Sequence, residues 1–212
     1  MTTRRDTAFH AVEVLAAGAF GVMVSEPDLR VASIGPAVLV VVVLVLQYRQ
    51  STQAWQDEVS ARLQSALSLM AVDGKARATY HVVERDGTAE LHYRQVVDYV
   101  PGGSGRGRRF AATEGIVGQC VTDGRQRVVN FRDAQEFTKE MSSQFGFTGE
   151  SDSRPAKTRR SYLAQPVTNS RDEVLGVIYM DSDKPDAFTS DGHCLHVELV
   201  ERVAQGLGDV VR

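Results

Sequence analysis

The chain has 212 residues, a formal net charge of −3 and a pI near 6.0. That is room for one globular domain with accessories, and the charge leaves no basic footprint for nucleic acid. Two cysteines, Cys120 and Cys194, sit outside any CxxC or Cys/His ligand run. They exclude a disulfide framework, read as small buried apolar residues and fit a reducing compartment.

The apolar residues are unevenly placed. Residues 8–24 read AFHAVEVLAAGAFGVMV, and residues 31–48 read VASIGPAVLVVVVLVLQY. From Val38 to Leu46 the second segment is an unbroken run of valine and leucine. About 18 helical residues cover roughly 27 Å, just enough for a bilayer core. The first segment carries His10 and Glu13, whose cost is small near the interface. Arg4 and Arg5 would also suit the basic start of a signal peptide, but Glu13 within the apolar region argues against cleavage. Only the polar stretch SEPDLR, residues 25–30, separates the segments, so the simplest expectation is a transmembrane helical hairpin over residues 1–48. Arg4, Arg5 and Arg49 flank its outer ends while the turn holds Glu26 and Asp28. This places both ends, and the rest of the chain, on the cytoplasmic side of the cell membrane.

Residues 49–72 lack Gly and Pro, and Val59, Leu63, Ala66, Leu67 and Met70 recur at helical spacing. An amphipathic helix is expected there, either dimerising the protein or covering the sheet of the following domain. After Asp73-Gly74 the period changes. Ala78–Arg85 alternates as a strand, Asp86-Gly87 is a hairpin signal, and residues 90–100 form the partner strand. PGGSGRGRR, residues 101–109, reads as a basic linker turn, because it lacks the spacing of a phosphate-binding loop.

GIVGQCVTDGRQRVVNFRD, residues 115–133, predicts a short helix, a turn at Asp123-Gly124 and a strand ending at Asn130 to Asp133. Residues 161–192 predict strand, turn, strand and a cap, and a closing helix begins at Asp191 or Gly192. In order, the GIVG turn, RVVNFRD, YLAQPV, EVLGVIYMDS and DAFTSDG resemble the GAF domain family over about residues 55–210. The resemblance implies an α/β (α+β) fold over residues 73–212, with a central antiparallel sheet flanked by helices. The first and last helices would cover one face. On the other, residues 132–160 would form the lid of a small-molecule cavity, the usual ligand site of such domains.

The departures narrow the function. The Asn-Lys-Phe-Asp-Glu signature of phosphodiesterase GAF domains is absent from the sequence, and Cys194 in HCLH, at the start of the closing helix, is misplaced for a bilin attachment site. Free methionine sulfoxide reductases share the fold but need several pocket cysteines, for which Cys120 is no substitute. His193 and His196 have no partner ligands nearby, so no metal and no cofactor are expected.

Candidate pocket residues follow from the resemblance. Asn130, Phe131 and Asp133 end the middle strand beside the lid, although Asp133 reads first as a helix N-cap for AQEFTKEM. Phe137, Phe145 and Phe147 either line the cavity or anchor the lid. Tyr162, Gln165, Tyr179 and Asp181 lie on the two late strands, where alternation directs at most half of them inward. Arg159 and Arg160, with Arg154 and Lys157, precede the fourth strand. Together with Arg106, Arg108 and Arg109 they form either a solvated loop or a pocket mouth that attracts an anion such as a nucleotide.

No nucleophile with its base, metal-ligand spacing or phosphate cradle is present. The expectation is a non-catalytic, membrane-anchored, small-molecule-sensing protein of signal transduction. It would contact membrane lipid, form a homodimer or higher oligomer and bind no nucleic acid. Because the chain stops after the closing helix, output would come from a partner or from the membrane segments. The alternatives are a ligand-gated membrane effector, as in nucleotide-triggered bacterial defence, and a free methionine sulfoxide reductase.

Overall fold

The computed structural model describes residues 34–70, 75–85, 90–146, 158–188 and 195–210. The chain divides into a unit that ends at Trp55 and a second one of residues Gln56–Val211.

The first element, α1 (Ile34–Met70), is one helix of 37 residues. Its early portion is apolar on every side: Val40, Val42, Val43, Val45 and Leu46 are all exposed. The expected hairpin is not supported. Residues 8–24 and the turn after them lie outside the described residues, as do residues 31–33 of the second segment. Among the described residues no helix is long and apolar enough to cross a membrane. The physical reason is length: the apolar part of α1 ends at Leu46, before Gln47, Tyr48 and Arg49, and falls short of the roughly 20 residues a span needs.

In the second unit six strands form one sheet in the order β3-β2-β1-β6-β5-β4, with every neighbour antiparallel. They are β1 (Arg77–Arg85), β2 (Leu91–Gln95), β3 (Arg109–Ala111), β4 (Arg127–Asn130), β5 (Ser161–Thr168) and β6 (Val174–Ser182). Three more helices follow in the chain: α2 (Gly115–Asp123), α3 (Ala134–Ser143) and α4 (Leu195–Val210). Strands β5 and β6 are buried along most of their length, as central strands must be when both faces are covered.

One face of the sheet buries Ala78, Tyr80, Leu163, Val167, Ile178 and Met180. The apolar stripe of α1 (Val59, Leu63, Ala66, Leu67, Met70) is buried too, and α4 packs on β5 and β6 through Val200, Ala204 and Leu207. A Cβ on Gly208 would stand 2.6 Å from the Thr168 carbonyl oxygen, so glycine there sets how closely α4 approaches β5. The other face carries an apolar cluster of its own and is covered by α2 and α3. The turn after α2 ends on Gly124 at φ 65°, a left-handed cap that glycine adopts without strain.

The linker turn expected at residues 101–109 is instead fixed to the sheet. Gly107 donates to the Gln95 carbonyl, Gln95 donates to that of Arg108, and Arg109 opens β3. The strand expected over residues 90–100 is correspondingly short: this loop takes over the outer backbone bonds of Gln95, and beyond it Val96 donates to the Tyr80 carbonyl and Val100 is bridged to Ala78.

Candidate functional site

Pairing register builds the face under α2 and α3 in rows. Tyr162, Asp181 and Arg77 stand abreast on β5, β6 and β1, followed by Ala164, Tyr179 and Thr79, then by Pro166, Val177 and His81. Val129 of β4 extends the first row, and Tyr93 of β2 stands opposite Phe110 of β3. The result is an aromatic floor. Tyr93 stacks on Phe110 at 4.9 Å, and His81 meets Tyr93 edge-on at 5.4 Å and Tyr179 at 6.0 Å. The Tyr179 ring lies 6.2 Å from that of Tyr162, which meets Phe131 at 5.5 Å and Phe137 at 5.9 Å. From above, α2 contributes Ile116, Val117, Cys120 and Val121, and α3 contributes Phe137 and Met141.

A charged cluster closes one end of this floor. Arg77 holds Asp181 in a two-point contact, Nε donating to Oδ1 at 2.8 Å and Nη2 to Oδ2 at 3.0 Å. Arg159 Nε lies 3.1 Å from the same Oδ1, and Asp181 is only 2% exposed. The Arg77 guanidinium also lies over the Tyr99 ring at 3.9 Å, a cation–π contact that fixes its plane. Buried polar atoms without a hydrogen-bond partner include His81 Nδ1 and the Tyr162 hydroxyl among the floor aromatics, Arg127 Nε on the same face and Arg159 Nε at the charged end. Burial pushes the His81 pKa down to about 3, so the imidazole is neutral at ordinary pH. Burial likewise raises the Tyr162 phenol well above its usual value, and the hydroxyl stays protonated.

The sequence-predicted residues divide between this face and other places. Tyr162, Tyr179 and Asp181 share it. Alternation had directed at most half of the four late-strand residues inward, but the β5–β6 register brings three of them onto one face. Gln165 pairs with Ile178 on the opposite face, where its Oε1 accepts from Gln126. Phe131, Phe137 and Phe145 are buried in the cluster above the floor. Phe147 lies outside the described residues, as do Arg154, Lys157, His193 and Cys194. Asn130 is half-buried at the end of β4, pairs with Ser161 rather than with the Tyr162 row, and has a buried Oδ1 without a partner. Asp133 is exposed and caps α3, accepting from the Gln135 and Glu136 amides at 2.8 Å. Arg159 reaches the floor through Asp181. The Arg160 Nη1 donates to the Arg159 carbonyl at 3.1 Å. Arg109 is paired with Glu84 instead, at 2.7 Å.

Four residues of the floor escaped sequence reasoning: Arg77, His81, Tyr93 and Tyr99. The alternation recognised in ATYHVVER already set Thr79, His81 and Val83 apart from Ala78, Tyr80 and Val82. A polar histidine in the alternate set was the signal available. Nothing local marked Arg77, whose partner lies 104 residues away.

Chemically the arrangement is suited to holding a ligand. Cys120 is fully buried, and burial pushes its thiol up to about 12, so it carries no thiolate at neutral pH. Among the described residues no group of three His, Cys, Asp or Glu side chains could hold a metal ion. A shallow depression of about 440 Å³, lined by Ala134, Gln135, Thr138 and Lys139, contains none of the predicted site residues.

Solved structures with the same fold include a GAF domain from an Acinetobacter phosphoenolpyruvate-protein phosphotransferase. It is 17% identical, with TM-score 0.50, and the match covers 78% of this chain and 88% of that one. The GAF region of a putative membrane protein from Geobacter sulfurreducens PCA is 18% identical, with TM-score 0.48 and coverage of 75% and 96%. A type II free methionine-R-sulfoxide reductase from Thermoplasma acidophilum is 16% identical, with TM-score 0.47 and coverage of 74% and 94%. No curated protein matches the chain. The GAF domain family model matches residues 55–208, which takes in the sheet and both of its covering layers. The chain therefore belongs to the GAF domain family.

Proposed function

We propose that this protein is a non-catalytic sensor. In this reading a small molecule is taken up between the aromatic floor and the α2–α3 layer, and the N-terminal segment holds the protein at a membrane with the sensing domain in the cytoplasm. The observation that carries the reading is the pair of buried, unpartnered polar atoms, His81 Nδ1 and the Tyr162 hydroxyl, on one aromatic face. A buried polar group without a partner costs about 1–3 kcal/mol, which a ligand's hydrogen bond offsets. The protonated, enclosed Cys120 thiol supports binding over sulfoxide chemistry, which needs an accessible thiolate. The membrane part of the proposal draws on the exposed valines and leucine of residues 40–46, since a helix apolar on all sides seeks an apolar surrounding.

Native mass spectrometry of the purified full chain tests the sensor reading. A retained small molecule, lost on denaturation, is expected together with no turnover of free methionine sulfoxide. Measurable reduction of that substrate would overturn it. Carbonate extraction of membranes from expressing cells tests the anchor, and release of the protein into the wash would reject it.

A further inference from the structure

We propose that α3 is the movable wall of the site: it lifts off Phe131 and Tyr162 while α2 stays on the sheet, and two hydrogen bonds between the end of α3 and the start of α2 latch it shut. This rests on the sensor reading and names the part of that site which moves.

The rings at this end of the floor are covered. Phe131 and Tyr162 are buried, and the Phe137 ring is stacked on Tyr162 at 5.9 Å. A molecule reaches them only by displacing a covering element, and the two helices above them are held very differently. In α2, six of the nine residues are buried, and the helix packs on both central strands. A Cβ on Gly118 would stand 2.6 Å from the Ala112 carbonyl oxygen, so the α2 backbone lies directly against the turn before it. The Thr122 hydroxyl donates to that same carbonyl at 3.2 Å.

By contrast, α3 is attached along a single stripe. Of its ten residues only Phe137 and Met141 are buried, and Phe145 continues them at the same four-residue spacing. Before its start, Phe131 is fixed, donating its amide to the Arg160 carbonyl at 2.7 Å. Arg132 then stands out in solvent, and Asp133 caps α3 locally, which leaves residues 132–133 as the pivot. At the far end the last carbonyls are claimed by α2. The Gly115 amide donates to the Phe145 carbonyl at 2.7 Å, and Gln119 Nε2 donates to the Gln144 carbonyl at 2.5 Å. Among the described residues these are the two hydrogen bonds that tie α3 to another element. A helix leaves its last carbonyls and first amides without internal partners, so opening this latch breaks no bond inside either helix.

Two matched pairs of probes in the purified full chain read the motion. The Gly115 and Phe131 amides each donate to a carbonyl at 2.7 Å, one on the latch and the other on the fixed strand end. Met141 and Met180 are both buried, one on α3 and the other on the opposite face of the sheet. In hydrogen exchange followed by NMR, Gly115 should be at least about tenfold less protected than Phe131, and hydrogen peroxide should convert Met141 to its sulfoxide at least about tenfold faster than Met180. Gln119→Ala, which removes one latch bond at a half-buried position, should speed both Gly115 exchange and Met141 oxidation and leave Phe131 and Met180 unchanged. Equal protection of the two amides, equal oxidation of the two methionines, or a Gln119→Ala protein with the parent's rates would overturn the movable wall, while a small molecule retained in native mass spectrometry would still uphold the sensor reading. Fast Gly115 and Met141 in a protein that reduces free methionine sulfoxide would uphold the movable wall and reject the sensor reading.

Discussion

Lowering the pH should destabilise the folded protein through one residue, His81. Its imidazole is 3% exposed among Tyr93, Phe110 and Tyr179, and burial lowers its pKa from 6.5 to about 3. Between those values the unfolded chain binds a proton that the folded one refuses, so stability rises with pH across this window and falls as the pH drops through it. At pH 4.5 the two pKa values correspond to a loss of about 2–3 kcal/mol relative to neutral pH. Glu84, Asp133 and Glu136, whose folded pKa values are lowered, also cost stability on acidification. They do so equally in a variant that lacks only the imidazole, so the comparison with His81→Gln isolates the one group. Urea midpoints followed by near-UV circular dichroism at pH 7.5 and 4.5 should show the parent losing about 2–3 kcal/mol more than His81→Gln. Parallel losses in the two proteins would refute the claim that His81 is held neutral by burial.

Two further outcomes follow from the same face. Asp181→Asn should cost about 3 kcal/mol in urea unfolding, at the lower end for a broken buried pair, because Arg77 and Arg159 keep 22% and 14% of their side-chain exposure; a cost below about 1 kcal/mol would mean that the cluster does not hold the sheet end together. In a Cys194→Ser background, Cys120 should resist iodoacetamide at pH 8 until denaturant is added, and prompt labelling of the native protein would show that the α2 layer opens far more readily than its packing implies.

Where neighbouring residues decide the outcome, the chain could be read directly. The stripe Val59, Leu63, Ala66, Leu67 and Met70 is buried as its helical spacing requires. Asp123-Gly124 ends a helix, and Asp133 starts one, because left-handed φ and free N-terminal amides are local demands that particular side chains meet. The succession of motifs from GIVG to DAFTSDG lies within the residues matched by the family model. Local pattern failed where distant hydrogen bonds decide. Residues 101–109 look like a free glycine-rich turn, yet backbone bonds to Gln95 hold them and deliver Arg109 to the edge of the sheet. The apolar residues after Ile34 look like the core of a membrane span, but the helix that carries them turns polar at Gln47.

The site was less legible than the fold for a reason that lies in register. Alternation says that Tyr179 and Asp181 share a face of β6, and that Tyr162 and Ala164 share a face of β5. It does not say which face of one strand joins which face of the other. That is decided by the pairing of Tyr162 with Asp181, and a slip of one residue would have brought Leu163 and Gln165 onto the aromatic floor instead. The same pairing, continued to β1, brings Arg77 to Asp181 from 104 residues away and makes a lone strand-end carboxylate the centre of a cluster. The side chains that define the candidate site therefore acquire their chemistry only once three strands are aligned. The unpartnered Tyr162 hydroxyl is a product of that alignment, since it stands beside a carboxylate whose oxygens are already taken.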